Sequence, residues 1–210
     1  MRPENESSGQ RRSFIEEARR RQIIASAVEV LAEGGYGNAS LARIAKHAGI
    51  SKGVISYHFA GKDDLMTEVV VQLFVSGGEY MQPFVEAAQG SRNRLRAYIE
   101  SNLAYIDANR TFVAAMTEVV LNLRDADGTL KFVNTSNEDE LIAPLTELLR
   151  DGQRSGEFGE FDATVTAKLI RDSVDGIAAR AVREPDFDVH AYTSALTRLF
   201  DLVTANGSAR

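Results

Sequence analysis

Residues 40–62, SLARIAKHAGISKGVISYHFAGK, constrain this chain more than any other stretch. Leu41, Ile44, Ala45 and Ala48 recur at helical spacing behind Ser40, whose hydroxyl can accept an orphan N–H of the first turn. Gly49 closes that helix by permitting a left-handed backbone. Ser51 starts a second helix, with Val54, Ile55 and Phe59 on its inner side. Lys52, Gly53, Ser56, Tyr57, His58 and Lys62 are left for the outside. Two short helices at a steep angle, the second showing small, aromatic and basic residues, predict a helix-turn-helix that reads DNA.

The net charge of −6 looks wrong for such a role until its distribution is seen. Residues 1–62 hold 10 of the 24 Lys and Arg and 6 of the 30 Asp and Glu, a balance of +4, which leaves −10 for residues 63–210. Phosphates would meet a basic head while the acidic body stays clear of them. The chain has no Cys, which excludes disulfides and thiolate metal sites and fits a reducing, cytoplasmic setting. No apolar run reaches membrane-spanning length, and the polar start MRPENESSGQRR does not read as a secretory signal.

The remaining punctuation predicts an all-α fold of about nine helices, a small N-terminal bundle followed by a larger one. Residues 1–12 read as a disordered arm, 13–62 as the DNA-binding domain and 63–210 as a second domain. A first helix over about 14–33 ends at Gly34 and Gly35. A fourth starts after Gly61 with Asp63 and Asp64 at its positive end, and Gly77, Gly78 and Pro83 should weaken or bend it. Residues 124–137 read as a long loop, and Pro144 as marking the start of the helix that follows. Val165, Leu169, Ile170, Val174, Ile177, Ala181 and Val182 line the penultimate helix, and Val189, Tyr192, Leu196, Leu199, Phe200 and Val203 the last. Both stripes are wider than one packing face needs, which suits a dimer interface of two helices from each subunit.

Gly35 and Tyr36, Ser40 and Leu41, Ile44 and Ala45, the run from Ala48 to Gly53, then Tyr57, His58 and Phe59, and finally Lys62 to Leu65 closely resemble the tetracycline-repressor (TetR) family of transcription regulators. The resemblance covers roughly the first third of the chain. It implies a homodimer that puts the third helix of each subunit into the major groove of a near-palindromic operator, with repression relieved by a small-molecule effector. Carried over by position, Ser40 and Arg43 would touch DNA from the second helix, and Ser51, Lys52, Gly53, Val54, Ser56, Tyr57 and His58 from the third. Lys62 would meet a phosphate. Position 56 is usually aromatic in the family and is Ser here. Arg11, Arg12 and Arg19 to Arg21 are further candidates for the DNA backbone or minor groove.

The resemblance also makes the second domain an effector and dimerisation unit. Tyr80, Met81, Phe84, Tyr98, Tyr105, Phe112 and Met116 are candidates to line a pocket, with Glu118 and Asp175 as partners for a cationic ligand. Three scattered His, with no His-x-x-x-His pair, no Gly-x-Ser-x-Gly elbow and no complete dinucleotide loop, argue against an enzyme, a metal or a cofactor. The alternative function is a helical protein-interaction adaptor without DNA binding, which would associate without steep salt dependence.

Overall fold

In the computed structural model, residues 6–132 and 135–206 are described, with side chains from residue 14 onward except 133–139. The described residues form nine helices and no strand: α1 (Glu6–Asn38), α2 (Leu41–His47), α3 (Lys52–His58), α4 (Lys62–Ala87), α5 (Ser91–Ala108), α6 (Arg110–Asn122), α7 (Thr135–Arg154), α8 (Ala163–Arg183) and α9 (Val189–Thr204). Two compact units result. One comprises residues 1–72 with 114–123, the other residues 73–113 with 124–210.

In the N-terminal unit, α1 buries Ile23, Ile24, Ala27, Val28 and Leu31, spaced at three and four residues as on one helix face. Ile44, Ala45, Ile55 and Phe59 are buried from α2, α3 and the residue after α3. Leu65, Met66, Val69 and Val70 add the first turns of α4, and Ala115, Val119 and Leu123 add α6 and the residue after it. These two contributions explain why the unit outgrows the expected 13–62 boundary. The expected arm also needs correction. The helix begins at Glu6, so residues 6–12 are helical, while residues 1–5 lie outside the described residues. Gly35 breaks α1 as expected, at φ 71° and ψ 172°, but one more helical turn follows it to Asn38.

In the C-terminal unit α5 packs against α7, α8 and α9, and α7 packs on α8. Leu95, Ile99, Leu103, Leu145, Leu149, Ile170, Val174 and Phe200 are among the buried side chains. Side-chain caps start the last two helices: Asp162 accepts from Thr164 N and Val165 N, and Asp188 from Ala191 N. α5 starts after Gly90, which offers no capping side chain. Glu157, from the connection after α7, supplies one instead, accepting from Ser91 N at 3.0 Å and Arg92 N at 3.2 Å.

Three local expectations change. α4 passes through Gly77, Gly78 and Pro83 to Ala87, and Pro144 lies inside α7 rather than at its start. Both prolines are exposed, so a carbonyl deprived of its N–H partner can be hydrated. The loop after α6 is shorter than expected: Arg124 and Leu130 bridge across a turn, and α7 starts at Thr135.

The wide stripes of α8 and α9 divide into two halves. Ile170, Val174, Ile177, Ala181, Val189, Leu196 and Phe200 are buried within the subunit. Val165, Leu169, Tyr192, Leu199, Leu202 and Val203 remain exposed.

Candidate nucleic-acid interface

Both short helices of the N-terminal unit are built by their caps. Ser40 Oγ accepts from Arg43 N at 3.2 Å, and Ser51 Oγ from Val54 N at 3.4 Å. Between them Gly49 takes φ 67°, and Ile50 N donates back to Ala45 O at 3.0 Å, which closes α2. Ile55 is fully buried, so the opposite side of α3 must face outward. Ser51, Lys52, Gly53, Ser56 and Tyr57 are exposed there, and Val54 and His58 half-exposed. Ser40 and Arg43 are exposed on the α2 side. Nine of the ten expected DNA contacts thus lie at the surface of two adjacent helices and their caps.

Tyr57 is 74% exposed. Its hydroxyl donates to Glu16 Oε1 at a long 3.4 Å, and its ring stands edge-on to His58 with centroids 5.0 Å apart. Such a hydroxyl is readily exchanged for a phosphate oxygen.

Lys62 is the exception. Its Nζ donates to Tyr36 O at 2.8 Å and lies 4.0 Å from the centre of the Tyr36 ring. Partial burial lowers its pKa, with Asp63 opposing, and partial burial together with Asp63 raises that of the Tyr36 phenol. In this conformation the expected phosphate ligand holds the main chain before α2 instead.

Arg20 also belongs to the scaffold rather than to the DNA face. It donates to His58 O at 2.5 Å, pairs with Glu68 on α4 at 3.1 Å, and stacks over the Phe59 ring at 4.4 Å. It stands three and four residues before the buried Ile23 and Ile24, a spacing that already marks it as inward-facing. Arg19 donates to Gln22 Oε1 at 2.6 Å, Arg21 is exposed, and the side chains of Arg11 and Arg12 lie outside the described residues.

Several of the expected pocket residues have partners of their own. Within the C-terminal unit Tyr80 lies 5.4 Å from Phe84 and 5.6 Å from Tyr105, ring to ring. Tyr105 shares a 2.5 Å hydrogen bond with Ser76. A second, polar group joins Tyr98 to Asn102 and Arg171. Burial raises the Tyr98 phenol, and Arg171 partly offsets it. Asp175 finds its cation on its own helix, accepting from Arg171 Nε at 3.0 Å. Phe112, Met116 and Met81 are half-buried. Glu118 departs furthest from expectation, because it accepts from Tyr36 N at 2.9 Å.

The N-terminal geometry has a counterpart among known proteins. Residues 23–69 match the profile of bacterial regulatory proteins of the tetR family, and residues 91–204 match the C-terminal profile of BetI-type transcriptional repressors. The chain belongs to the TetR family. It is therefore a DNA-binding transcriptional regulator. The HTH-type transcriptional regulator BetI 1 of Chromohalobacter salexigens is 35% identical over 94 residues, which are 44% of this chain and 46% of that relative. The match thus spans about half of that regulator. The fatty acid metabolism regulator protein of Bacillus subtilis is 24% identical over 180 residues, 85% of this chain and 91% of the relative. The crystal structure of FadR from Bacillus subtilis in complex with stearoyl-CoA shares the TetR-family fold with a TM-score of 0.70, at 22% identity over 85% of this chain and 95% of that one. These relatives are regulators rather than enzymes, and among the described residues no helix is long and apolar enough to cross a membrane.

Proposed function

We propose that the protein is a homodimeric repressor that binds a near-palindromic operator through α3 and lets go when a small-molecule effector occupies its C-terminal unit. The observation that carries this reading is α3 itself. It is pinned by the buried Ile55 and capped by Ser51, and it turns Lys52, Gly53, Ser56 and Tyr57 to solvent. Gly53 lets the backbone approach the duplex, Lys52 reads a guanine edge or neutralises a phosphate, and Tyr57 and His58 hold phosphates. Ser40 and Arg43 support the same strand contacts from α2. The exposed apolar halves of α8 and α9 support the dimer, since a packed four-helix interface would remove them from water.

An effector acts only through its different affinity for the two conformations of the dimer. Stearoyl-CoA, bound in the Bacillus subtilis relative, is the natural first probe. The test is selection of bound genomic fragments, then gel shifts of one selected duplex across a salt series. Steep loss of affinity with salt and retention over scrambled duplex are expected. Salt-insensitive association with no selected sequence would favour the adaptor instead.

A further inference from the structure

Three segments of the N-terminal unit meet at Tyr36. Its N–H donates to Oε2 of Glu118 on α6 at 2.9 Å, and its carbonyl accepts from Lys62 Nζ, at the start of α4, at 2.8 Å. Tyr36 stands in the single turn between the Gly35 break and Ser40, the cap of α2. Holding its two flanking peptides from both sides fixes where α2 begins, and α3 packs on α2.

Gly35 is fitted to this arrangement. At φ 71° and ψ 172° it adopts a backbone that glycine alone reaches cheaply, and that backbone points the next N–H at α6. A Cβ there would stand 3.2 Å from Oε2 of Glu118. The half-buried N–H needs an acceptor, and the Glu118 oxygen is placed to supply it.

We propose that Glu118 is a positioning residue for the reading head, so that operator affinity depends on its oxygen reaching the Tyr36 N–H and not on its charge. The proposal rests on the operator-binding reading above.

Reach and charge separate in three variants of the full-length protein. Glu118→Gln loses the charge and keeps an oxygen at the same reach. Glu118→Asp keeps the charge and loses a methylene. Glu118→Ala loses both. Fluorescence anisotropy with a selected operator duplex should leave Gln within about two-fold of wild type and place Asp and Ala roughly ten-fold weaker, the size of one ordinary intramolecular hydrogen bond. A scrambled duplex of equal length should show no such split. Hydrogen exchange at the Tyr36 amide of the free protein should be slow in wild type and Gln and fast in Asp and Ala. If Ala fails to fold, the Asp and Gln pair decides. Equal affinity in all four proteins, Gln grouping with Ala, or exchange unchanged in Asp would overturn the proposal. The exchange measurement needs no operator. Protection that splits as expected in a protein that selects no DNA would therefore reject the operator-binding reading while retaining the Glu118 bond.

Discussion

Arg20 donates to the carbonyl of His58 at 2.5 Å and so closes the C-terminal end of the helix that carries Tyr57. The same guanidinium reaches Glu68 and covers Phe59. Arg20→Ala should lower unfolding free energy by about 1–3 kcal/mol, the range for a charge-assisted bond lost with its packing. Arg20→Lys should recover little of it, because a compact ammonium lacks the wide planar fork that reaches both acceptors while lying flat on the Phe59 ring. Urea unfolding of the three proteins checks both statements. Full recovery in the Lys variant would show that charge alone suffices.

Tyr57→Phe removes a hydroxyl whose hydrogen-bond partner among the described residues is Glu16, at 3.4 Å. Folding stability should hardly change, and affinity for operator and scrambled duplex should fall together by roughly three-fold, as for a lost phosphate contact. Lys52→Ala should weaken operator binding more and flatten its salt dependence by about one counterion per subunit. Gel shifts at several salt concentrations read both. Unchanged binding in both variants would remove α3 from the interface.

Acid should release α5. Two backbone N–H donors, from Ser91 and Arg92, hold the Glu157 carboxyl below the ordinary glutamate range, with burial opposing weakly. A folded pKa below the unfolded one stabilises the protein fully above the unfolded value of about 4.5 and loses that gain as pH falls through the folded value. Wild type should therefore melt higher than Glu157→Gln at neutral pH, and the gap should narrow progressively as pH falls below about 4.5. A gap constant from neutral to acid pH would exclude this origin.

Gly152 on α7 lies against the ring of Phe158, which is 3% exposed, so closely that a Cβ would overlap the ring. Gly152→Ala should cost about 1–3 kcal/mol through overpacking, despite the better helix propensity of alanine. Adding Phe158→Leu should return part of the loss. Denaturant midpoints of the single and double variants measure it.

Periodicity and caps made most of the fold legible. Ser40, Ser51, Gly49 and the Ile44 and Ile55 spacings fix the two short helices with no tertiary information, and the structure repeats them. Pro144 misled, because a proline on an exposed helix face costs one hydrogen bond without having to mark the start of the helix. The exposed side of α3 was legible because a helix this short buries little beyond Ile55. The roles of Lys62 and Glu118 were not, since each depends on a partner in a distant segment, 26 and 82 residues away at Tyr36. A lone carboxylate in a sequence carries no sign of which N–H it will meet.

The guanidinium of Arg110 gathers four main-chain oxygens between Ala181 and Phe187 and asks nothing of the side chains that bear them. Every amino acid brings a carbonyl. The path of the stretch connecting α8 to α9 is thus held through its main chain, while the buried Phe187 and the cap Asp188 keep side-chain roles of their own, and the single arginine that organises the path has no substitute with the same fan of donors.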